Sequence, residues 1–234
     1  MDSIPVKDSA GLKQSKIGQS KIEQAKSVAA KYLRNGWGSR AAVFHTISDL
    51  FAKDLSEAEC QRICMVLDPF HGVATAIYED GKAFGITVCG ALSGALAGFA
   101  LINGIKELPF NFWVEGMQPD GFLGKVINDP EVSPEEKVEL YYEKIGSLYG
   151  AYYQMVLNFK EHFGTTDCFE LEKPHKDPIS IACFRNCARV VAWTAGMACQ
   201  MLLEYKENPN QFKTGEGNVH LAVVKSVKDF EKNE

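Results

Sequence analysis

The sequence has no surplus of positive charge: 25 Lys and Arg stand against 30 Asp and Glu, for a formal charge of -5. Without a basic face for phosphates, nucleic acid is not an expected partner. It has no second apolar run to set beside Val88–Ile105, no basic anchors flanking that one, and a mean hydropathy of -0.14. A membrane span is therefore not expected. No CxxC occurs, against a thioredoxin-like redox motif, and no CxxCH, which excludes covalently attached haem. No nucleophile triad, phosphate loop, dinucleotide fingerprint or paired-carboxylate arrangement stands out, so an organic substrate has no visible place. Residues 1–34 contain no apolar signal core, so a cytoplasmic location is expected, or a periplasmic one if an export signal has been removed.

What is present is cysteine, seven residues in all. The chain is too long to need disulfide staples, and an odd count suits a reducing compartment. Clustered thiols there point to metal or redox chemistry. The stretch VCGALSGALAGFALINGI, Val88 to Ile105, is uncharged and spaces Gly90, Gly94 and Gly98 four apart. Glycines at that spacing share a helix face and admit a close neighbour, although each costs about 1 kcal/mol of helix propensity. Cys89 stands at its start, where free N–H groups and the positive end of the helix dipole favour a thiolate.

Around this helix the chain reads as follows. Residues 1–19 are a polar, loosely attached arm. Ser20 opens an amphipathic helix that Asn35-Gly36 stops, and Ser39 caps a second, RAAVFHTISDLFAKDL. Ser56 and Glu59 form a capping box for a third, EAECQRICMVL, with Cys60 and Cys64 on one face. A glycine-rich loop holding His71 leads to the central helix. Residues 106–129 lack periodicity and carry four aromatics, the mark of an insertion over a site or dimer contact. Ser133-Pro134-Glu135-Glu136 starts a long helix with a tyrosine stripe, which Gly164 ends. Cys168 follows on a polar turn, and a last helix runs from Ser180 to Tyr205 with Cys183, Cys187 and Cys199. The expectation is an all-α single domain, 20–208, of about six helices around the buried glycine-rich one. Residues 209–234 form a C-terminal extension.

Cys183 and Cys187, one turn apart, place sulfurs on one face with about 6 Å between Cβ atoms, better suited to sharing a metal or cluster than to a disulfide. Cys199, flanked by Ala and Met, reads as packing. His45, His162 and His175 read as solvated or hydrogen-bonded.

Cys89-Gly90-Ala91-Leu92-Ser93-Gly94 matches the CGAxxG signature of the redox-active proteins named for their C, GCAxxG, C, C cysteine pattern. EHFGTTDCFEL resembles that family's third-cysteine region and NCARVVAWTA its fourth, so the likeness covers about residues 36–204. It is also similar to split-Soret cytochromes, which carry the same framework beside haem. The family's first cysteine is absent, and Gly38-Ser39-Arg40-Ala41-Ala42 stands in its place. The resemblance implies a redox role with an iron-sulfur cluster, 2Fe-2S as the first choice. Such a cluster takes soft thiolate ligands in an apolar pocket with N–H groups directed at sulfur. Cys89, Cys168 and Cys187 would be the core ligands, with Gly90 at the cluster and Cys183 first choice for the fourth; Cys60 or Cys64 could substitute, or three thiolates suffice. A redox partner protein and a homodimer through the glycine and aromatic surfaces are expected. The alternatives are a cluster-free thiol/disulfide protein with Cys89 as the attacking thiol, and a non-catalytic helical interaction protein.

Overall fold

The computed structural model of the chain describes residues 16–67, 77–79, 82–84, 88–103, 130–175 and 180–213. These residues form an all-α single-domain fold. The arm up to residue 15, His71, the insertion 106–129 and the tail from residue 214 lie outside the described residues.

Helix α1, Lys16–Arg34, begins four residues ahead of the expected Ser20, and Gly36 beyond its end takes a left-handed φ of 91°. Its buried Ile22, Ala25 and Ala29 recur at helical spacing and pack on the last helix, α7, Ile181–Glu207. Helix α2, Ser39–Phe51, is buried without a break from Arg40 to Ser48 because α1, α4 and α7 cover it. Such a helix has no solvent face and therefore no amphipathic stripe. Ser39, expected as its cap, is instead its first residue, and Gly38 holds the cap position. The buried Arg40 donates to the carbonyl of Leu67, at the C-terminal end of α3, Glu57–Leu67, where a cation complements the negative end of the helix dipole.

The α3 capping box forms as expected: Ser56 N–H donates to Glu59 (2.8 Å) and Glu59 N–H to Ser56 Oγ (3.3 Å). The loop expected before the central helix contains a small antiparallel hairpin, β1 (Ile77–Glu79) with β2 (Lys82–Phe84). The hairpin signal in the sequence is Asp80-Gly81 between short β-formers.

Helix α4, Gly90–Asn103 among the described residues, begins two residues after the start of the apolar run. It shares the centre with α2, which is the more enclosed. A Cβ at Gly94 would collide with the Arg40 carbonyl, and one at Gly98 would lie 2.9 Å from Ile47. The glycine face thus receives α2 within the chain, which removes it as a dimer contact.

Helix α5, Pro134–Phe163, opens with Ser133 accepting from Glu136 N–H (3.1 Å) and closes on Gly164 at φ 79°. Of its tyrosines, the partly buried Tyr152 packs against the core: it meets Phe99 edge-on at 5.9 Å, Phe99 meets Tyr205 at 5.3 Å, and Ser147 shares a hydrogen bond with Tyr205. After α6, Cys168–Glu172, and α7, a 3-10 turn, Pro209–Phe212, docks the start of the expected extension, burying Phe212 against Gly150. No helix among the described residues is long and apolar enough to cross a membrane.

Two consequences are measurable. Gly94→Ala should lower stability by about 1 to 3 kcal/mol, because backbone cannot yield as a flexible side chain can. Gly38→Ser, placed where nothing lies within 4 Å, should be neutral or stabilising; equal thermal midpoints for the two variants would refute the close contact. His45 is 3% exposed, ringed by Tyr32 (5.4 Å) and Trp37 (4.5 Å), with its Nε2 lacking a hydrogen-bond partner. Burial lowers its pKa, against a smaller opposing pull from Asp49 and Glu57. The unfolded state therefore binds the proton more readily, so this contribution to stability is full above about pH 6.5 and is lost as pH falls below it. Thermal midpoints measured between pH 7 and 5 should fall, and fall less steeply in His45→Phe.

Candidate functional site

Cys89 is the residue before the first turn of α4, and its sulfur accepts the N–H groups of Ala91 and Leu92. These are donors that a helix start leaves unsatisfied. Its own N–H donates to the Thr166 carbonyl (2.8 Å), and Val88 pairs with Asp167 in an isolated antiparallel bridge. The entrance to α4 is thereby fastened to the turn after α5. Asp167 caps α6, accepting from Phe169 N–H (2.7 Å) and Glu170 N–H (3.3 Å). Cys168, expected on a turn, is instead the first residue of this five-residue helix. Its thiol donates to Glu172 Oε1, one turn on, at 3.6 Å.

Cys187 comes from the second turn of α7. Ser180 caps that helix by accepting from Cys183 N–H (3.2 Å), and Asn186 donates to the Leu171 carbonyl (3.2 Å), joining α7 to α6. The Ser39 hydroxyl, at the start of α2, hydrogen-bonds the Cys187 sulfur. Residues 39, 89, 168, 172 and 187 thus come together from four helices.

Cys168 and Cys187 both feel Cys89, and all three thiols feel Glu172. Burial pushes the Cys168 thiol far up, and the Cys89, Glu172 and Cys187 charges add to it. Cys187 is pushed up to about 12, chiefly by burial, then by Cys89, Glu172 and Cys183, with Ser39 opposing. At Cys89 burial outweighs the two N–H donors, and Glu172 adds to the rise. The expected thiolate-favouring environment at Cys89 is therefore overridden by desolvation. All three groups are thiols near neutral pH unless a cation compensates their charge.

Of the remaining cysteines, Cys183 is buried beside Cys187. Cys199 is fully buried in the main core, as packing requires. Cys60 and Cys64 pack with Ala41 and Phe44 in a second cluster. Gly90 is buried at the first position of α4. His162 stacks on Trp193 at 4.2 Å. Among the described residues no group of three or more His, Cys, Asp or Glu is arranged to hold a metal ion. The thiols are gathered, then, but not closed on a common centre.

No family model, curated protein or solved structure matches the chain.

Two residues of the constellation were missed in the sequence. Glu172 had a signal, its one-turn spacing from Cys168, while Ser39 was noted only as a helix cap and as the occupant of a missing cysteine's place. The raised pKa of Cys187 has a direct readout. In metal-free folded protein at pH 8, Cys187 should react with iodoacetamide at least about tenfold more slowly than in unfolded chain, since the thiolate is the nucleophile. Peptide mass spectrometry measures this, and equal rates would contradict the burial.

Proposed function

We propose that this chain is a redox-active protein in which Cys89, Cys168 and Cys187 bind an iron-sulfur cluster, 2Fe-2S in its simplest form, for electron transfer or redox sensing. The observation that carries the reading is the convergence of these three thiols, far apart in sequence, at the entrance of a glycine-faced helix. The donor set suits the group: soft sulfur ligands, burial, and two N–H groups already directed at the Cys89 sulfur. The resemblance to the C, GCAxxG, C, C pattern supports the same three residues. Cys183, one turn from Cys187, is a candidate fourth ligand.

The cluster-free thiol/disulfide reading is less well supported, since an attacking thiol needs a lowered pKa and burial raises that of Cys89. A redox partner would approach near Ile181 and Phe184, which are 72% and 60% exposed on the first turn of α7, just ahead of Cys187. A homodimer would use the aromatic insertion, since α2 occupies the glycine face. A reducing cytoplasmic compartment suits the free thiols.

The test is the visible spectrum, with iron and acid-labile sulfide content, of protein purified without oxygen. Stoichiometric iron and sulfide, with absorption that bleaches on dithionite, is the expected result. Cys89→Ser, Cys168→Ser and Cys187→Ser should each abolish or bleach the chromophore, and Cys199→Ser should leave it intact. A colourless, metal-free wild type after anaerobic reconstitution would sink the cluster assignment and favour the dithiol reading.

A further inference from the structure

Helix α7 carries Cys183 and Cys187 on its first two turns, and those turns are held in place: Ser180 caps them and Asn186 ties them to α6. Their outer side chains are an unusual set. Ile181 and Phe184 are largely exposed, and Arg185 and Arg189 are exposed beside them. Residues three, four and eight apart lie toward one side of a helix, so these four form a single strip in which two apolar groups are followed by two cations.

Folding does not account for that strip. The first turn of α7 has no acidic residue, and none follows until Glu204. Among the described residues neither arginine has a carboxylate partner; Arg189 donates to the neutral Asn186 side chain (2.8 Å), which orients its guanidinium without compensating the charge. Like charges four apart on a helix repel, and a helix dipole favours cations at its other end. Helix α3, with the exposed pair Met65 and Val66, differs in carrying Glu57 and Glu59 in its first turn. The whole chain has a formal charge of -5, so a basic strip runs against its composition.

We propose that residues 181–189 are the docking surface for an acidic partner protein, with Ile181 and Phe184 meeting an apolar patch and Arg185 and Arg189 meeting carboxylates beside it. The inference rests on the redox reading of the thiol end and adds the chemistry of the partner. Aromatic side chains and arginines are the groups on which small interfaces depend, while charges at the rim steer encounter. Four side chains fit the lower end of interface sizes, where transient electron-carrier encounters lie. The strip is too small to hold a lipid surface, since even a single myristoyl chain binds membranes only marginally. Cys187 lies on the same turns, which places the seated partner beside the thiols.

The experiment titrates the full-length protein, purified without oxygen, with two electron carriers of opposite charge as probes: a plant-type 2Fe-2S ferredoxin, which is acidic, and a cytochrome c, which is basic. Calorimetry gives affinity and stopped flow gives the rates. The ferredoxin should bind at least about tenfold more tightly than the cytochrome at low ionic strength, and less tightly as salt rises. The double variant Arg185→Glu, Arg189→Glu should lose at least about tenfold in affinity, chiefly through slower association. Phe184→Ser, shown folded by circular dichroism, should dissociate faster and keep the salt dependence. Phosphatidylglycerol-containing vesicles should not sediment the wild type.

No preference for the acidic carrier, wild-type affinity in the charge-reversed variant, or unchanged dissociation in Phe184→Ser would each overturn the proposal. Arginine-dependent binding to the vesicles in place of the ferredoxin would assign the strip to a lipid surface and overturn it too. If the ferredoxin binds as expected but the protein contains no iron or sulfide, the docking surface stands and the iron-sulfur reading falls. If iron and sulfide are present and the ferredoxin is ignored, the docking surface falls and the cluster stands.

Discussion

The close contact of α4 on α2 is the constraint on which the remaining arrangement depends. Gly94 meets the backbone of Arg40 and Gly98 meets Ile47, so residue numbers rise together along the two helices. The helices consequently run in the same general direction and open at the same end of the bundle. That end holds Ser39 on α2 and Cys89 before α4, and the Ser39–Cys187 hydrogen bond brings the start of α7 to it. A side chain at Gly94 would push the helices apart and separate the groups that meet there. The glycines thus set the geometry of a site to which they contribute no functional atom.

This end of the bundle is electrostatically unfinished. Helix starts present partial positive charge and unsatisfied N–H groups, which favour an anion. Three thiols and a carboxylate stand among them, yet burial and the mutual repulsion of their charged forms keep the thiols protonated. Desolvation and dipole therefore oppose each other at Cys89, and desolvation prevails. Only compensation by a nearby positive charge would reverse that balance and let the N–H donors of Leu92 and Ala91 act on a thiolate.

Much of the architecture is legible in the sequence because it depends on local rules. The Ser56–Glu59 box, the Ser133-Pro134 start, the Gly164 stop and the Ser180 cap each involve residues within one turn of one another. The enclosure of α2 is not local: Arg40, His45 and Ser48 look like the polar face of a surface helix, and only the helices packed around them turn it into core. The same limit applies to the site. Cys89, Cys168 and Cys187 stand out as thiols in a recognisable pattern, but Glu172 is one of 30 acidic residues. Its one-turn spacing from Cys168 becomes a signal only once residues 168–172 are known to be a helix. Cys89 shows the converse error, since a helix start argues for thiolate while the degree of burial, invisible in sequence, argues against it.

The helix that carries Cys168 and Glu172 is only five residues long. Helices of that length do not persist by themselves, because nucleation costs more than a single turn of hydrogen bonds returns. What holds α6 is borrowed: the Asp167 cap, the backbone pairing with Val88 and the grip of Asn186 on Leu171. Cys89 and Cys187, by contrast, belong to helices of 14 and 27 residues, Cys89 as the residue before α4, and both helices are anchored in the main core. The constellation is therefore half rigid and half conditional. Any ligand that bridges the two halves must stabilise α6 by an amount linked to its own affinity, because binding and the ordering of that segment are one equilibrium. The long helices can accordingly form the bundle by themselves, with α6 as the part that depends on its neighbours.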